Sequence, residues 1–446
     1  MKAITQYLIE RGYTCVQDNY YAFIALWQKW YEGKVPSVHN YIQYNGKKKL
    51  RRTRKTLGLA KTISEDWANL LLNEKAQICI DDATAKERIN AVLAANKFEK
   101  RGNQLVELAF ALGTAAFVEY LDGADVKIDY IRAGMIYPLS WDNGQIKECA
   151  FGSLRVRGKK VQVYLNIHML LENGNYLIEN HLFDYSGKKL QEIDLPKGVL
   201  AEVQTGSSVP RFQILTPNIA NNIDFDSPMG ISVYHNAQDQ LESTDLVYDS
   251  YCNEFRLGKK RITVPLTMAQ LAMEEDGTAT PVFDDNDTEF YAVPNQGDQK
   301  IQEHNMELRA DAHEAGLQTM LNLVSWKTGS GGKRYVFRDG QVKTATEVIS
   351  DDSDLYRNLK KHEKSLETVL VGMVAAIADM MKLGEVHATV AFDDSIITDT
   401  DAEKTMFLQE IREGVRKKWE YRVKFYGEDE ATAKAMIEAE PDLKLW

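Results

Sequence analysis

Two helix-length patterns separated by a stretch that cannot be helical set the strongest limit on how this chain folds. After Ser227 and Pro228, residues Tyr234, Ala237, Leu241, Thr244, Tyr248, Cys252 and Phe255 recur at spacings of three and four. Asp239, Glu242, Asp245, Asp249 and Glu254 stand among them, and Gly258 follows. That spacing is the stripe of an amphipathic helix, with Ser227 as its expected cap, Pro228 at its first turn and Gly258 as its stop. At 1.5 Å per residue, a helix over 229–257 is about 40 Å long. A second helix is predicted over 303–324 through Met306, Ala310, His313, Leu317, Met320 and Leu321. Between them Pro265, Pro281 and Pro294 punctuate the strand-like pieces RITV, TPVF and EFYAV, and residues 274–298 hold eight acids with no Lys or Arg. Two helices with such narrow apolar stripes cannot bury one another, so they need further partners.

The flanking regions read as ordinary folded protein. MKAITQYLIERGY has no apolar core of a secretory signal and predicts a short amphipathic helix with Ile4, Leu8 and Ile9 on one side. Tyr20 to Tyr31, Leu57 to Ala76 and Asn103 to Phe117 predict core helices. Between the first two lies KKKLRRTRK, with Lys47, Lys48, Lys49, Arg51, Arg52, Arg54 and Lys55 as a basic run, read as a solvated face or loop with nucleic acid or an acidic partner as the alternative. From Ala115 to Leu215 the apolar period shortens towards two and turn signals intervene, which predicts antiparallel hairpins. Thr344 to about Leu383 predicts one very long helix, with Asp351-Asp352-Ser353 as a place to bend. A strand at HATVAF and two terminal helices, Asp401–Glu413 and Glu428–Ala439, close the chain. The fold class is α+β, mainly α.

Charge and motifs exclude several functions. Lys+Arg 54 against Asp+Glu 65 gives a net charge of -11, so a surface that grips nucleic acid everywhere is excluded and any such contact is local. Cys15, Cys79, Cys149 and Cys252 form no CxxC pair, which argues against zinc ribbons and disulfide frameworks and for an intracellular origin. The apolar run Val369–Met381, broken by Asp379, is shorter than a membrane span. Gly329-Ser330-Gly331-Gly332-Lys333 fails as a phosphate loop, because Lys327 stands where its first Gly belongs and Arg334 where a Ser or Thr would hold magnesium. Asp284, Asp285, Asp287 and Glu289 resemble half a calcium loop whose turn glycine is replaced by Phe290. Asp393, Asp394 and Asp399 are oxygen ligands in type, and capping explains them as well. There is no HExxH or GxSxG, so no catalytic residues, metal site or cofactor are assigned.

Four stretches carry a resemblance: KTISEDWANLLLNE, FDSPMGISVYHNAQDQLESTDLVYDSYCNEFRLGKKRI, VKTATEVISDDSDLYRNLKKHEKSLE and FDDSIITDTDAEKTMFLQEIREG. In this order, the chain resembles portal proteins of tailed bacteriophages, in the branch from phages of low-GC Gram-positive hosts. The resemblance implies a portal fold, with residues 1–228 as wing, 229–257 and 303–324 as stem, 258–302 as clip, 325–343 as tunnel loop, 344–383 as a channel-flanking helix and 384–446 as wing and a small crown. It implies a homododecameric ring at the portal vertex of the virion, made in the host cytoplasm, through which double-stranded DNA is packaged and ejected. Its implied partners are the terminase large subunit, the head-completion adaptor, the scaffold and the major capsid protein, with no membrane and no enzyme activity. The alternative is a metal-dependent nucleic-acid enzyme using the Asp393 and Asp394 region.

On that resemblance, three residue sets have expected roles. Lys327, Lys333, Arg334 and Arg338 of the tunnel loop touch DNA phosphates without reading bases. Asp239, Glu242, Asp245 and Asp249 of the stem repel DNA and keep it sliding. Asp284, Asp285, Asp287 and Glu289, with Phe290 and Tyr291, form an acidic clip rim that docks the motor and the adaptor.

Overall fold

The computed structural model describes residues 2–44, 46–73, 76–158, 160–185, 189–273, 275, 277, 279–282, 290–294, 300–336, 345–392, 400–426 and 430–439. The chain opens with α1 (Lys2–Glu10), α2 (Asp18–Tyr31), a one-turn α3 (Pro36–His39) and an antiparallel hairpin of β1 (Asn40–Tyr44) and β2 (Lys49–Thr53). The basic run is thus strand and turn. Next come α4 (Leu59–Leu71), β3 (Gln77–Ile80), α5 (Ala83–Ala95) and α6 (Phe98–Leu112). Helix α5 starts where Asp82 accepts the Ala85 N–H at 2.6 Å, a side-chain cap on an otherwise open backbone donor. On α4 the apolar stripe Ile63, Trp67, Leu70 and Leu71 is buried, each side chain stabilising the fold by about 1.5–3 kcal/mol. On α1 the stripe holds at Ile4 and Leu8, whereas Ile9 is exposed.

The hairpin region follows as expected: β4 (Ala115–Asp122), β5 (Asp125–Arg132), β6 (Ile136–Asp142), β7 (Gln145–Arg157), β8 (Lys160–Leu170), β9 (Tyr176–Tyr185), β10 (Leu190–Ile193), β11 (Glu202–Gln204) and β12 (Phe212–Leu215). Strands β10-β9-β8-β7-β6 form one sheet, with β11 also on β9, while β12-β4-β5 form another. Val163, Leu165 and Ile167 of β8 are buried at every second position, as period two requires. Glu119 on β4 and His168 on β8 are fully buried, and neither side chain has a hydrogen-bond partner among the described residues. Burial raises the Glu119 carboxyl to about 8 and lowers the His168 imidazole to about 3, because the charged form of each loses its water.

No helix begins at Ser227-Pro228. Residues 229–234 form irregular chain, and α7 starts only at Gln238, ending at Leu257. Tertiary bonds hold the irregular piece: Gly230 N–H donates to Thr114 Oγ1 at 3.1 Å, Val233 N–H to the Phe110 carbonyl at 2.9 Å and Tyr20 O–H to the Gly230 carbonyl at 2.7 Å. A Cβ on Gly113 would lie 2.3 Å from the Gly230 carbonyl oxygen, so the two backbones touch where no other residue fits.

Beyond α7 the chain makes β13 (Arg261–Pro265), β14 (Gln270–Met273), β15 (Ala279–Val282), β16 (Phe290–Val293) and β17 (Gln302–His304), then α8 (Ala310–Lys327). Strand β13 pairs parallel to β16 and antiparallel to β17, and β14 pairs with β15. The second helix therefore begins at Ala310 and not at Glu303, because Gln302–His304 pair with Arg261–Thr263. Helix α9 (Ala345–Met380) runs unbroken through 351–353, where the sequence suggested a bend. Its stripe Leu355, Leu359, Leu366, Leu370, Met373, Val374 and Ile377 is buried, and His362 lies edge-on between Trp67 and Phe110. This helix is core along one face. Strand β18 (Ala388–Ala391) pairs with β3, joining chain segments some three hundred residues apart. Three terminal helices follow where two were expected: α10 (Thr400–Arg412), α11 (Lys418–Tyr426) and α12 (Glu430–Ala439). Among the described residues, no helix is long and apolar enough to cross a membrane.

Candidate functional site

Helices α7 and α8 lie together as a pair joined at one end by the β13–β17 region. Where α7 ends and the chain returns, Glu254 clamps Arg309: Nε donates to Oε1 at 3.0 Å and Nη2 to Oε2 at 2.8 Å, with the Arg309 backbone N–H also on Oε1. This fork holds the Glu254 carboxyl down at about 2. His313 comes within 3.5 Å of the same carboxylate, and Tyr251 is beside its ring. The pair buries little else. On α7 only Leu241, Thr244, Asp245 and Asp249 are buried, and on α8 only Leu321, Val324 and Ser325. Leu246, Phe255, Leu257, Leu308, Leu323 and Trp326 are exposed along it.

The four stem acids divide. Asp239 and Glu242 are exposed. Asp245 and Asp249 are buried, and both are engaged inside the chain, which corrects the expectation that they face a passing polyanion. Asp245 Oδ1 accepts the Leu57 N–H at 2.8 Å and Asp249 Oδ1 the Lys55 N–H at 3.0 Å. Standing one turn apart on α7, the two carboxylates fasten the irregular segment that leaves the basic hairpin. Asp245 Oδ2 lies 3.0 Å from His39 Nε2, and the Val35 backbone N–H reaches His39 Nδ1 at 3.0 Å. A backbone N–H can only donate, so Nδ1 is the acceptor, Nε2 carries the proton and donates to Asp245. His39 and Asp245 stand 206 residues apart, and neither their spacing nor their surroundings in the sequence signal the pair.

The Gly-rich basic loop is docked over its first half. Gly329 and Gly331 adopt φ of 80° and 83°, conformations glycine takes without strain. Thr328 and Ser330 are buried, and Asn358 Nδ2 donates to the Gly329 carbonyl at 3.0 Å. Arg334 makes a forked contact with Asp66 of α4, Nη2 to Oδ1 at 2.8 Å and Nε to Oδ2 at 3.0 Å, so its charge is met within the chain. Lys327 is exposed beside the Trp326 ring, and Lys333 is exposed. Arg338 lies outside the described residues.

Of the clip residues, Asp284, Asp285, Asp287 and Glu289 lie outside the described residues. Phe290 and Tyr291 open β16, opposite Ile262 and Thr263 of β13. Tyr291 is exposed, with the Arg261 guanidinium over its ring at 5.8 Å. Asp393, Asp394 and Asp399 also lie outside the described residues. Among those described, no group of three or more His, Cys, Asp or Glu stands close enough to hold a metal ion.

The described residues thus form an α+β chain with a thin helix pair and a small strand region at its tip. A family model described as phage portal protein, SPP1 Gp6-like, matches residues 16–422, and the chain belongs to that family. It is a phage portal protein, a structural, non-enzymatic protein of the head–tail connector. The metal-dependent enzyme reading falls with that membership. No curated protein matches the chain. Among solved structures it is similar to a chain from the neck of a native GTA particle computed with C12 symmetry, at 10% identity and a TM-score of 0.42, covering 82% of this chain and 88% of that one. The neck of an empty GTA particle computed with C6 symmetry gives 11% identity and 0.42, covering 83% and 89%.

Proposed function

We propose that this subunit forms a twelve-membered ring at the portal vertex, that the ring conducts double-stranded DNA during packaging and ejection, and that it belongs to the branch from phages of low-GC Gram-positive hosts. The observation that carries the ring is the helix pair itself. Outside its base, α7 and α8 leave Leu246, Phe255, Leu257, Leu323 and Trp326 to water, a continuous cost that side-by-side copies remove. In this reading α7 and α8 are the stem and 258–302 the clip. Residues 325–343 enter the tunnel, 344–383 flank it, and 1–228 with 384–446 make the wing and a small crown.

Lys327, Lys333 and Arg338 are then the loop cations that meet phosphate, with Arg334 holding the loop root to α4. Asp239 and Glu242 are the stem acids that face DNA. The clip acids with Phe290 and Tyr291 dock the terminase large subunit and later the head-completion adaptor, while scaffold and major capsid protein meet the wing. Imaging of purified protein by negative stain, with mass photometry, tests the assembly. A ring with a central hole and twelve or thirteen copies is expected. A monomer that stays monomeric at micromolar concentration refutes it.

A further inference from the structure

The hairpin β1–β2 is a strongly basic element that the channel reading leaves without work. Residues 47–55 carry seven Lys and Arg and no acid, in a chain whose net charge is -11. We propose that this hairpin is a second DNA-binding element, an arm on the outside of the assembly that holds the phosphate backbone of duplex DNA without reading bases.

The alternation of the two strands sorts the side chains. Cross-strand register pairs Tyr41 with Arg52, Ile42 with Arg51, Gln43 with Leu50 and Tyr44 with Lys49. Tyr41, Leu50, Arg52 and Arg54 are half-buried on the face turned towards the body. There Arg54 Nη1 donates to the Val38 carbonyl at 2.8 Å and its guanidinium lies over the Tyr41 ring. The opposite face presents Lys49 and Arg51, two cations about 7 Å apart along one strand, beside Ile42 and Tyr44, each 66% exposed. An exposed cation pair flanked by an aromatic ring is a surface suited to a phosphodiester chain.

The hairpin is also held in place. Asp245, Asp249 and His39 fasten its base to α7 through one buried and two part-buried contacts, so the charges are presented from a fixed root and less ordering entropy is lost on binding. Duplex DNA, with one charge per about 1.7 Å, is the densest anionic partner for such a row, and salt governs the contact through counterion release. The Lys and Arg stems reach phosphates of any sequence, so no base preference follows.

The test uses the purified assembly and covalently closed circular duplex DNA, which cannot thread a preformed ring and so reports only outer surfaces. Two unrelated sequences should bind equally. The double variant Lys49→Gln with Arg51→Gln should lower the slope of log K against log salt by about 1.8, so that it loses about 12-fold less affinity than the parent between 50 and 200 mM salt. The charge-keeping pair Lys49→Arg with Arg51→Lys should keep the parental slope. Lys327→Gln with Lys333→Gln, in the channel loop, should leave circular-DNA binding unchanged. An unaltered slope in the Gln pair, or binding confined to linear duplexes, overturns the proposal. So does a Gln pair that loses ring assembly while its monomer binds DNA as before, which would make the hairpin a contact to an acidic face of a second copy. These outcomes are separate from the ring reading, since a ring can form whether or not the arm binds.

Discussion

Glu119→Gln is the sharpest test of how this subunit's core is built. The Glu119 side chain is fully buried on β4, both of its oxygens lack a partner among the described residues, and burial raises the carboxyl from its ordinary 4.5 to about 8. Between those two values the folded chain keeps a proton that the unfolded chain has released, so stability falls as pH rises from about 4.5 to 8 and levels off above. At about 1.4 kcal/mol per pH unit the loss is about 3 kcal/mol at pH 7 and about 5 kcal/mol above pH 8. Glutamine has nearly the same shape and no charge to gain, so its variant lacks this slope. The comparison at pH 4.5 measures any cost of the buried amide, and the change in that difference up to pH 8 isolates the proton. At about 2.1 cal/mol/K per residue over the whole chain, 1 kcal/mol moves Tm by about 1 °C, so the variant gains about 4 °C on the parent between the two pH values, where the carboxyl is half titrated in the unfolded and the folded chain respectively. Scanning calorimetry at constant ionic strength from pH 4.5 to 8 reads this directly. A melting difference that stays flat over that range refutes the reasoning, because it means the carboxyl finds a partner or water in solution.

The remaining predictions follow from the same contacts. His168 and His362 are both held neutral, each lowered to about 3 by burial, so their contribution is intact above about 6.5 and falls away as acid protonates the unfolded chain. His168→Phe, packed between Phe151 and Phe212, should flatten the acid limb of a stability–pH curve, and unchanged acid sensitivity counts against it. Asp245→Ala leaves the Leu57 N–H and the His39 proton buried without an acceptor, at about 2–5 kcal/mol, and should speed hydrogen exchange and proteolysis around 39–57 before the sheets respond. Gly230→Ala places a methyl 2.4 Å from the Gly113 carbonyl oxygen and should abolish soluble expression, whereas Gly332→Ala, whose Cβ meets nothing within 4 Å, should cost far less.

Much of the fold was legible where the pattern is local. The aromatic helix around Trp27, the stripe Ile63-Trp67-Leu70, the hairpins from Ala115 to Leu215 and the long helix ending at Met380 all follow from apolar period and turn residues, because burial of one face is what each period encodes. The site was less legible. The acids of α7 are all carboxylates on one helix, yet Asp239 and Glu242 meet water while Asp245 and Asp249 hold backbone N–H groups of the distant segment after the basic hairpin. Arg334 reads like the other loop cations until Asp66, 268 residues away, is found beside it.

The sequence by itself determined the kind of most elements, the thin helix pair, the charge of the basic run and the family. Only the tertiary structure decided where the first stem helix begins, because Gly230 and Val233 bond to Thr114 and Phe110 more favourably than to their own helix. It also decided that residues 302–304 are strand, since a partner strand satisfies their backbone, and that β3 closes on β18. In each case the deciding group is a backbone donor or carboxylate that must be satisfied somewhere, and a linear pattern records which faces are apolar without recording which distant atom answers a buried polar one.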